Sequence, residues 1–162
     1  MTPKQRLNIL LADDGSQHAQ AAVEWLQNIS LPPKSRIFVF RAFHSDQIPW
    51  ISEFEAALER TKTRLSSLGY RVETELQLGH AAGKILEIAE ARKPDLIVLG
   101  AKGLRSTASI LLGGVAQQVI EYACCPVLIM RAVSGILPGV AGDRRVSIQP
   151  ERGALSAQLP IV

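Results

Sequence analysis

The 162-residue sequence has two cysteines, and they are neighbours, Cys124 and Cys125. Adjacent cysteines cannot staple distant segments, and no histidine stands at a metal-site spacing from them. They read as a reduced pair of small buried residues in a cytoplasmic protein. No apolar run approaches the roughly 18 residues of a membrane-spanning helix. Met1 to Arg6 is polar and Leu7 to Ala12 is a short apolar stretch, so no secretion signal is expected. The net charge is only +3. Lysines and arginines are scattered along the chain rather than striped, and no nucleic-acid partner is expected. His18, His44 and His80 fall on three separate segments, where surface or capping roles are expected rather than a metal site. The G-x-S-x-G elbow of serine hydrolases is absent. So are the P-loop and the dinucleotide fingerprint G-x-G-x-x-G.

What is present is a globular composition, 47% hydrophobic and 20% charged, long enough for one domain with a proper core. Leu7–Ala12 reads as a buried strand, followed by the turn Asp13-Asp14-Gly15-Ser16 and a helical period from Ala19 to Ile29. Arg36–Ala42 is a second strand, and residues 44–50 form a loop. Ile51–Leu68 is a helix with Phe54, Leu58, Thr61 and Leu65 on its inner face, stopped by Gly69. Arg71–Leu78 alternates like a half-exposed strand near a sheet edge. Gly79–Gly83 turns into a helix over Lys84–Arg92, with Ile85, Leu86, Ile88 and Ala89 inward. Leu96–Leu99 is a buried strand, Val115–Ala123 a helix, and Val127–Arg131 the last strand. Strands alternating with helices five times predict a mainly parallel sheet covered on both faces, an α/β fold. Residues 134–162 are rich in Gly, Pro and Ser without a period and read as a flexible tail. Within it, Arg144-Arg145-Val146-Ser147 resembles a basic phosphorylation patch of a kind common by chance.

The stretch Gly100–Ala116 organises this reading. A strand enters it and a helix leaves it, and glycines stand at 100, 103, 113 and 114. Glycine lets backbone N–H groups approach an anion, and a helix start favours negative charge. At about 14 residues the connection is longer than usual, which suits a functional loop, and Ile110-Leu111-Leu112 offers an apolar anchor. Lys102 and Arg105 are in reach of phosphate oxygens, and Ser106, Thr107 and Ser109 add hydroxyls. In an open parallel sheet, ligands bind beyond the carboxyl ends of the strands, where the winding reverses. The Asp13-Asp14 turn and the Gly100 loop therefore flank one cleft if their strands are neighbours. An acidic pair beside a phosphate cradle is consistent if one carboxylate turns away, takes a ribose or base group, or holds a divalent cation. Helix capping is the competing role for one of the two.

Ile9-Leu10-Leu11-Ala12-Asp13-Asp14-Gly15-Ser16, the spacing Gly100-x2-Gly103-x9-Gly113 followed by Val115-Ala116, and Cys125-Pro126-Val127-Leu128-Ile129 together resemble the universal stress protein family. The resemblance covers about residues 5–132. It implies a domain over 1–132, a tail over 133–162, and a three-layer, Rossmann-like fold with a five-stranded parallel sheet of order 3-2-1-4-5. It further implies a homodimer joined through Val127 to Met130, and adenine-nucleotide binding, ATP or else AMP or ADP, with Mg2+ as a possible companion. Carried over residue by residue, Ala12, Asp13 and Asp14 lie along the adenosine, and Ala42 approaches the adenine. Leu99, Gly100, Lys102 and Gly103 line ribose and phosphates, and Gly113, Gly114, Val115 and Ala116 cradle the phosphates. Gly114 stands where the family's ATP-binding branch has Ser or Thr, so one hydroxyl donor is lost. Three functions follow: a nucleotide-binding regulatory stress protein, a nucleotide-independent dimeric interaction module, or a slow ATPase or phosphotransferase. The lack of an evident base or P-loop lysine counts against the third.

Overall fold

The computed structural model describes residues 6–107 and 111–133. Its elements in chain order are β1 (Asn8–Ala12), α1 (Gln17–Asn28), β2 (Arg36–Phe43), a 3-10 segment (Ser45–Trp50) and α2 (Ile51–Ser66). They continue with β3 (Arg71–Leu78), α3 (Ala81–Arg92), β4 (Leu96–Gly100), α4 (Gly114–Tyr122) and β5 (Val127–Met130). The strands form one parallel sheet in the order β3-β2-β1-β4-β5, as the resemblance implied. Leu11 of the central strand pairs with Val39 on one side and Val98 on the other. A strand covered on both faces needs apolar residues at every position, which is why β1 and β4 show no alternation. β3 lies at an edge and does alternate.

The two-residue period of the strands divides the core. Ile9, Leu11, Ile37 and Val39 pack under α1 and α2 with Val23, Leu26, Leu58 and Leu65. Leu10, Phe38, Phe40 and Ile97 pack under α3 and α4 with Ile85, Ile88 and Val119. Leu26 is fully buried, a burial that stabilises by about 1.5–3 kcal/mol for a side chain of this size. In α1 the buried set Ala19, Ala22, Val23 and Leu26 follows the i, i+3, i+4, i+7 rule of one helix face.

The structure departs from expectation in several places. α3 starts at Ala81, three residues early, because His80 accepts from the Gly83 N–H (3.5 Å) and caps a helix that includes Gly83. Its buried set is Ala82, Ile85, Ile88 and Ala89, and Leu86 is only half buried. The expected loop over 44–50 is mostly a 3-10 segment, closed where the His44 N–H donates to Gln47 Oε1 and the Gln47 N–H to the His44 carbonyl, both at 2.9 Å. Cys124 is exposed and Cys125 half buried, because the turn between α4 and β5 runs along the surface. Leu111 is 75% exposed and anchors nothing, whereas Leu112 packs against the core. Ile110, the tail from 134 onward and the Arg144–Ser147 patch lie outside the described residues.

Candidate functional site

Parallel strands deliver every following loop to one pole. There the turn after β1 meets the long loop after β4, since those strands are neighbours where the winding reverses. A cavity of about 420 Å3 lies among these loops. All twelve residues singled out from the sequence line it: Ala12, Asp13, Asp14, Ala42, Leu99, Gly100, Lys102, Gly103, Gly113, Gly114, Val115 and Ala116. Sequence reasoning missed Phe40, Arg41, His44, Gln47, His80, Ile85 and Gln118, which also line it. A signal for one of them was present. Arg41 is a charged residue inside the otherwise apolar run Ile37–Phe43, and such a residue needs a polar reason.

The acidic turn is built by its own side chains. Asp13 Oδ1 accepts from the Gly15 N–H (3.0 Å) and Asp14 Oδ1 from the Ser16 N–H (2.9 Å), two successive Asx turns. The cap of α1 is Ser16, whose hydroxyl oxygen accepts from the Ala19 N–H (3.2 Å) and whose hydroxyl donates to the Lys102 carbonyl (3.1 Å). The two aspartates then diverge. Asp13 is 3% exposed, and its Oδ2 accepts from Thr61 Oγ1 of α2 (2.8 Å). Its carboxylate therefore faces away from the cavity. Asp14 Oδ2 instead accepts from the Leu104 N–H (3.2 Å) and ties the β4 loop to the β1 turn.

That loop is pinned at its base. The Ala101 N–H donates to the Met130 carbonyl and the Gly113 N–H to the Ala101 carbonyl, each at 2.7 Å. Its two ends thus meet, and α4 begins beside the end of β4. The first intrahelical bond of α4 runs from the Gln117 N–H to the Gly113 carbonyl (3.0 Å). The N–H groups of Gly114, Val115 and Ala116 precede it and have no acceptor within the helix. They form the positive end of α4 at the cavity wall, where a negative group is favoured.

The glycines serve different ends. A Cβ on Gly100 would lie 2.7 Å from His18 Cβ and 2.8 Å from the Ala19 nitrogen, so this glycine lets α1 approach β4. On Gly103 it would lie 2.8 Å from Asp14 Oδ2. At Gly114 nothing stands within 4 Å. The missing hydroxyl there is a matter of residue choice and not of space.

Arg41 offsets the acidic pair. It is 7% exposed, and its guanidinium carbon lies 4.0 Å from the centre of the Phe54 ring. No carboxylate of the described residues lies within 4 Å of its nitrogens. Burial lowers its pKa, and attraction from Asp13 and then Asp14 pulls it back up. A guanidinium stays charged under such conditions. With Arg41, Lys102 and Arg105 add positive charge to the residues lining the cavity, where Asp14 is the carboxylate turned toward the loop. Arg105 also reaches Asp46 of the 3-10 segment (3.2 Å) across the mouth, an exposed pair of little energetic weight.

A model described as the universal stress protein family matches residues 6–131. A Thermus aquaticus universal stress protein is 36% identical over 135 residues, 76% of this chain and 97% of that protein. The Methanocaldococcus jannaschii universal stress protein MJ0531 is 42% identical over 79 residues, 49% of this chain. The aligned part spans 46% of MJ0531, about half its length, and likewise 46% of the Synechocystis relative Slr1230. The solved structure of M. jannaschii MJ0577 matches with a TM-score of 0.74 at 23% identity, covering 79% of this chain and 97% of that one. A universal stress protein from Arabidopsis thaliana, solved with AMP bound, matches with a TM-score of 0.59 at 17% identity over 77% and 91%. One from Archaeoglobus fulgidus in complex with dAMP has a TM-score of 0.55 at 20% identity over 76% and 97%. At these identities the structural likeness is one of fold.

Proposed function

The chain belongs to the universal stress protein family, and from that premise we propose that the cavity beyond β1 and β4 receives an adenine nucleotide, in a cytoplasmic protein that regulates a stress response by binding. One observation carries the reading: the unbonded amides at the start of α4 and the turn that bears Asp14 border one cavity of about 420 Å3. That is room for a nucleotide with an anion-binding end. Ala12, Ala42, Leu99 and Ile85 offer apolar wall to the base. Asp14 and the backbone around Gly103 stand by the ribose, and Gly113 to Ala116 take the phosphates, with Lys102 as a cation of the same lining. Asp13 acts indirectly, holding the turn through Thr61. The bound AMP and dAMP of the two structural relatives support an adenine ligand.

ATP is the preferred nucleotide in this proposal because Lys102 and Arg105 of the β4 loop line the cavity and add positive charge to that of the α4 amides. Among the described residues no three His, Cys, Asp or Glu side chains converge. A magnesium ion bound here would therefore be held chiefly by the nucleotide's phosphates and water. The proposal includes a homodimer through Val127 to Met130, because β5 is an edge strand whose open hydrogen-bonding side calls for a cover. Among the described residues no helix is long and apolar enough to cross a membrane.

The test is to denature the purified protein, identify the released small molecules by mass spectrometry, and titrate the emptied protein with ATP, ADP and AMP with and without Mg2+. Release of an adenine nucleotide and a thermal shift with ATP are expected. Protein that emerges empty and does not respond to any of the three would reject the reading in favour of a nucleotide-independent module.

A further inference from the structure

The pole opposite the nucleotide cavity has its own chemistry. Every strand of a parallel sheet starts there, and four of the five starts are basic. Arg6 lies two residues before β1, Arg36 opens β2, Arg71 opens β3, and Arg92-Lys93 precede β4. Arg36 and Arg71 stand opposite each other in the β2–β3 register. Like charges facing across a ladder are destabilising, and among the described residues no carboxylate lies within 4 Å of either guanidinium group. Cations at helix ends have an ordinary explanation in the helix dipole. That explanation covers Arg92 and Lys93 at the end of α3, but not Arg6, which precedes β1, or Arg36, which opens β2.

A second cavity, of about 230 Å3, opens at this pole at the starts of β1 and β2. Arg6, Arg36 and Arg92 line it, with Glu73 as its one carboxylate, an excess of two positive charges. Arg92 stacks 3.7 Å from the centre of the Phe38 ring, bonds Glu73 Oε2 at 3.0 Å and lies 3.8 Å from Glu75 Oε2, so its charge is already matched. No carboxylate of the described residues lies within 4 Å of the guanidinium groups of Arg6 and Arg36. Phe38 and Ile88 add apolar wall. Two uncommitted guanidinium groups beside apolar wall suit one oxyanion carried on an apolar body. Guanidinium groups bind phosphate and carboxylate bidentately, and the apolar part gains from burial.

We propose that this cavity is a second binding site, for a small organic anion with a single phosphate or carboxylate head on an aromatic or aliphatic body. It is separate from the nucleotide cavity and independent of that reading, because the two lie at opposite ends of the strands.

The test is calorimetric titration of the full chain with phenyl phosphate, phenylacetate, inorganic phosphate and the neutral benzyl alcohol. One equivalent of phenyl phosphate or phenylacetate is expected to bind with a Kd of about 1 mM or tighter, and the tighter of the two identifies the head group. Inorganic phosphate and benzyl alcohol are each expected to bind at least about tenfold more weakly. The double change Arg6→Ala and Arg36→Ala, both at exposed positions, is expected to weaken binding at least about tenfold with an unchanged melting curve. Arg36→Gln, which keeps length and polarity, is expected to weaken it as well. Arg71→Ala removes a nearby cation outside the cavity lining and is expected to leave binding intact. Failure of both aromatic anions to bind, equal binding of the neutral analogue, indifference to the Arg6/Arg36 change, or an equal loss with Arg71→Ala would each overturn the proposal.

Discussion

Replacing Gly114 by aspartate tests the phosphate end of the cavity without disturbing the fold. Gly114 is the first residue of α4, and an added Cβ there meets nothing within 4 Å. It is not among the glycines with positive φ, which are Gly15, Gly69 and Gly79, so a side chain brings no backbone strain. A carboxylate in the first turn complements the helix dipole by about 0.3–1 kcal/mol. The melting temperature should therefore hold or rise. For a phosphate seated on the α4 amides, the new charge lies roughly 4–8 Å away. At an effective dielectric of about 20, the repulsion is about 2–4 kcal/mol per unit charge. That corresponds to a loss of roughly thirtyfold to several hundredfold in ATP affinity. Titration of ATP at low ionic strength measures it, and the loss should shrink as salt is added. The companion Gly114→Ser restores a hydroxyl and should tighten ATP by about 1.5–3 kcal/mol, the worth of a hydrogen bond to a charged group. Unchanged affinity in a folded Gly114→Asp protein would show that no phosphate sits at the start of α4.

Four further outcomes follow from the same geometry. Gly100→Ala should cost about 1–3 kcal/mol, because its Cβ meets the backbone of α1 at 2.8 Å; a calorimetric scan should show melting lowered by several degrees. Thr61→Val deprives the buried Asp13 of its hydroxyl donor and should destabilise by about 1–3 kcal/mol in urea unfolding. Arg41→Met should weaken ATP binding by leaving the aspartate pair less compensated, and Arg41→Lys should recover part of the loss; a Met variant that folds and binds ATP as the parent does refutes that role. His18 accepts from the Ala132 N–H (2.9 Å), and burial, aided by Lys102 and Arg131, lowers its pKa below the ordinary 6.5. A pKa lowered by folding means that the contribution of the neutral ring is present above the unfolded value near 6.5 and is lost as pH falls below it. His18→Gln should flatten the fall of melting temperature as pH drops below about 6.5.

The fold was legible because its signals are local. Apolar runs without alternation mark β1 and β4, the alternation of Arg71–Leu78 marks an edge, and the glycine-spaced loop marks a wall of the cavity. Boundaries were less legible where side-chain capping overrode the appearance of a turn. His80 starts α3 ahead of Gly83, and Gln47 winds the segment after His44. The two aspartates looked equivalent in sequence, but their partners are 48 and 90 residues distant, Thr61 for Asp13 and Leu104 for Asp14. No local pattern separates them.

The sequence carried the strand and helix periods, the length of the β4 loop and the identity of Gly114, all of which depend on neighbours a few residues away. Tertiary structure assigned what depends on distant neighbours. It turned Asp13 inward and Asp14 to the loop, brought α1 close against Gly100 at the cavity wall, and buried Arg41 beside the acidic turn. It also collected arginines that look scattered along the chain at one end of the sheet. The reason is geometric: parallel strands send all their beginnings to one pole and all their ends to the other. Residues tens of positions apart thereby become neighbours, which the order of the chain does not display.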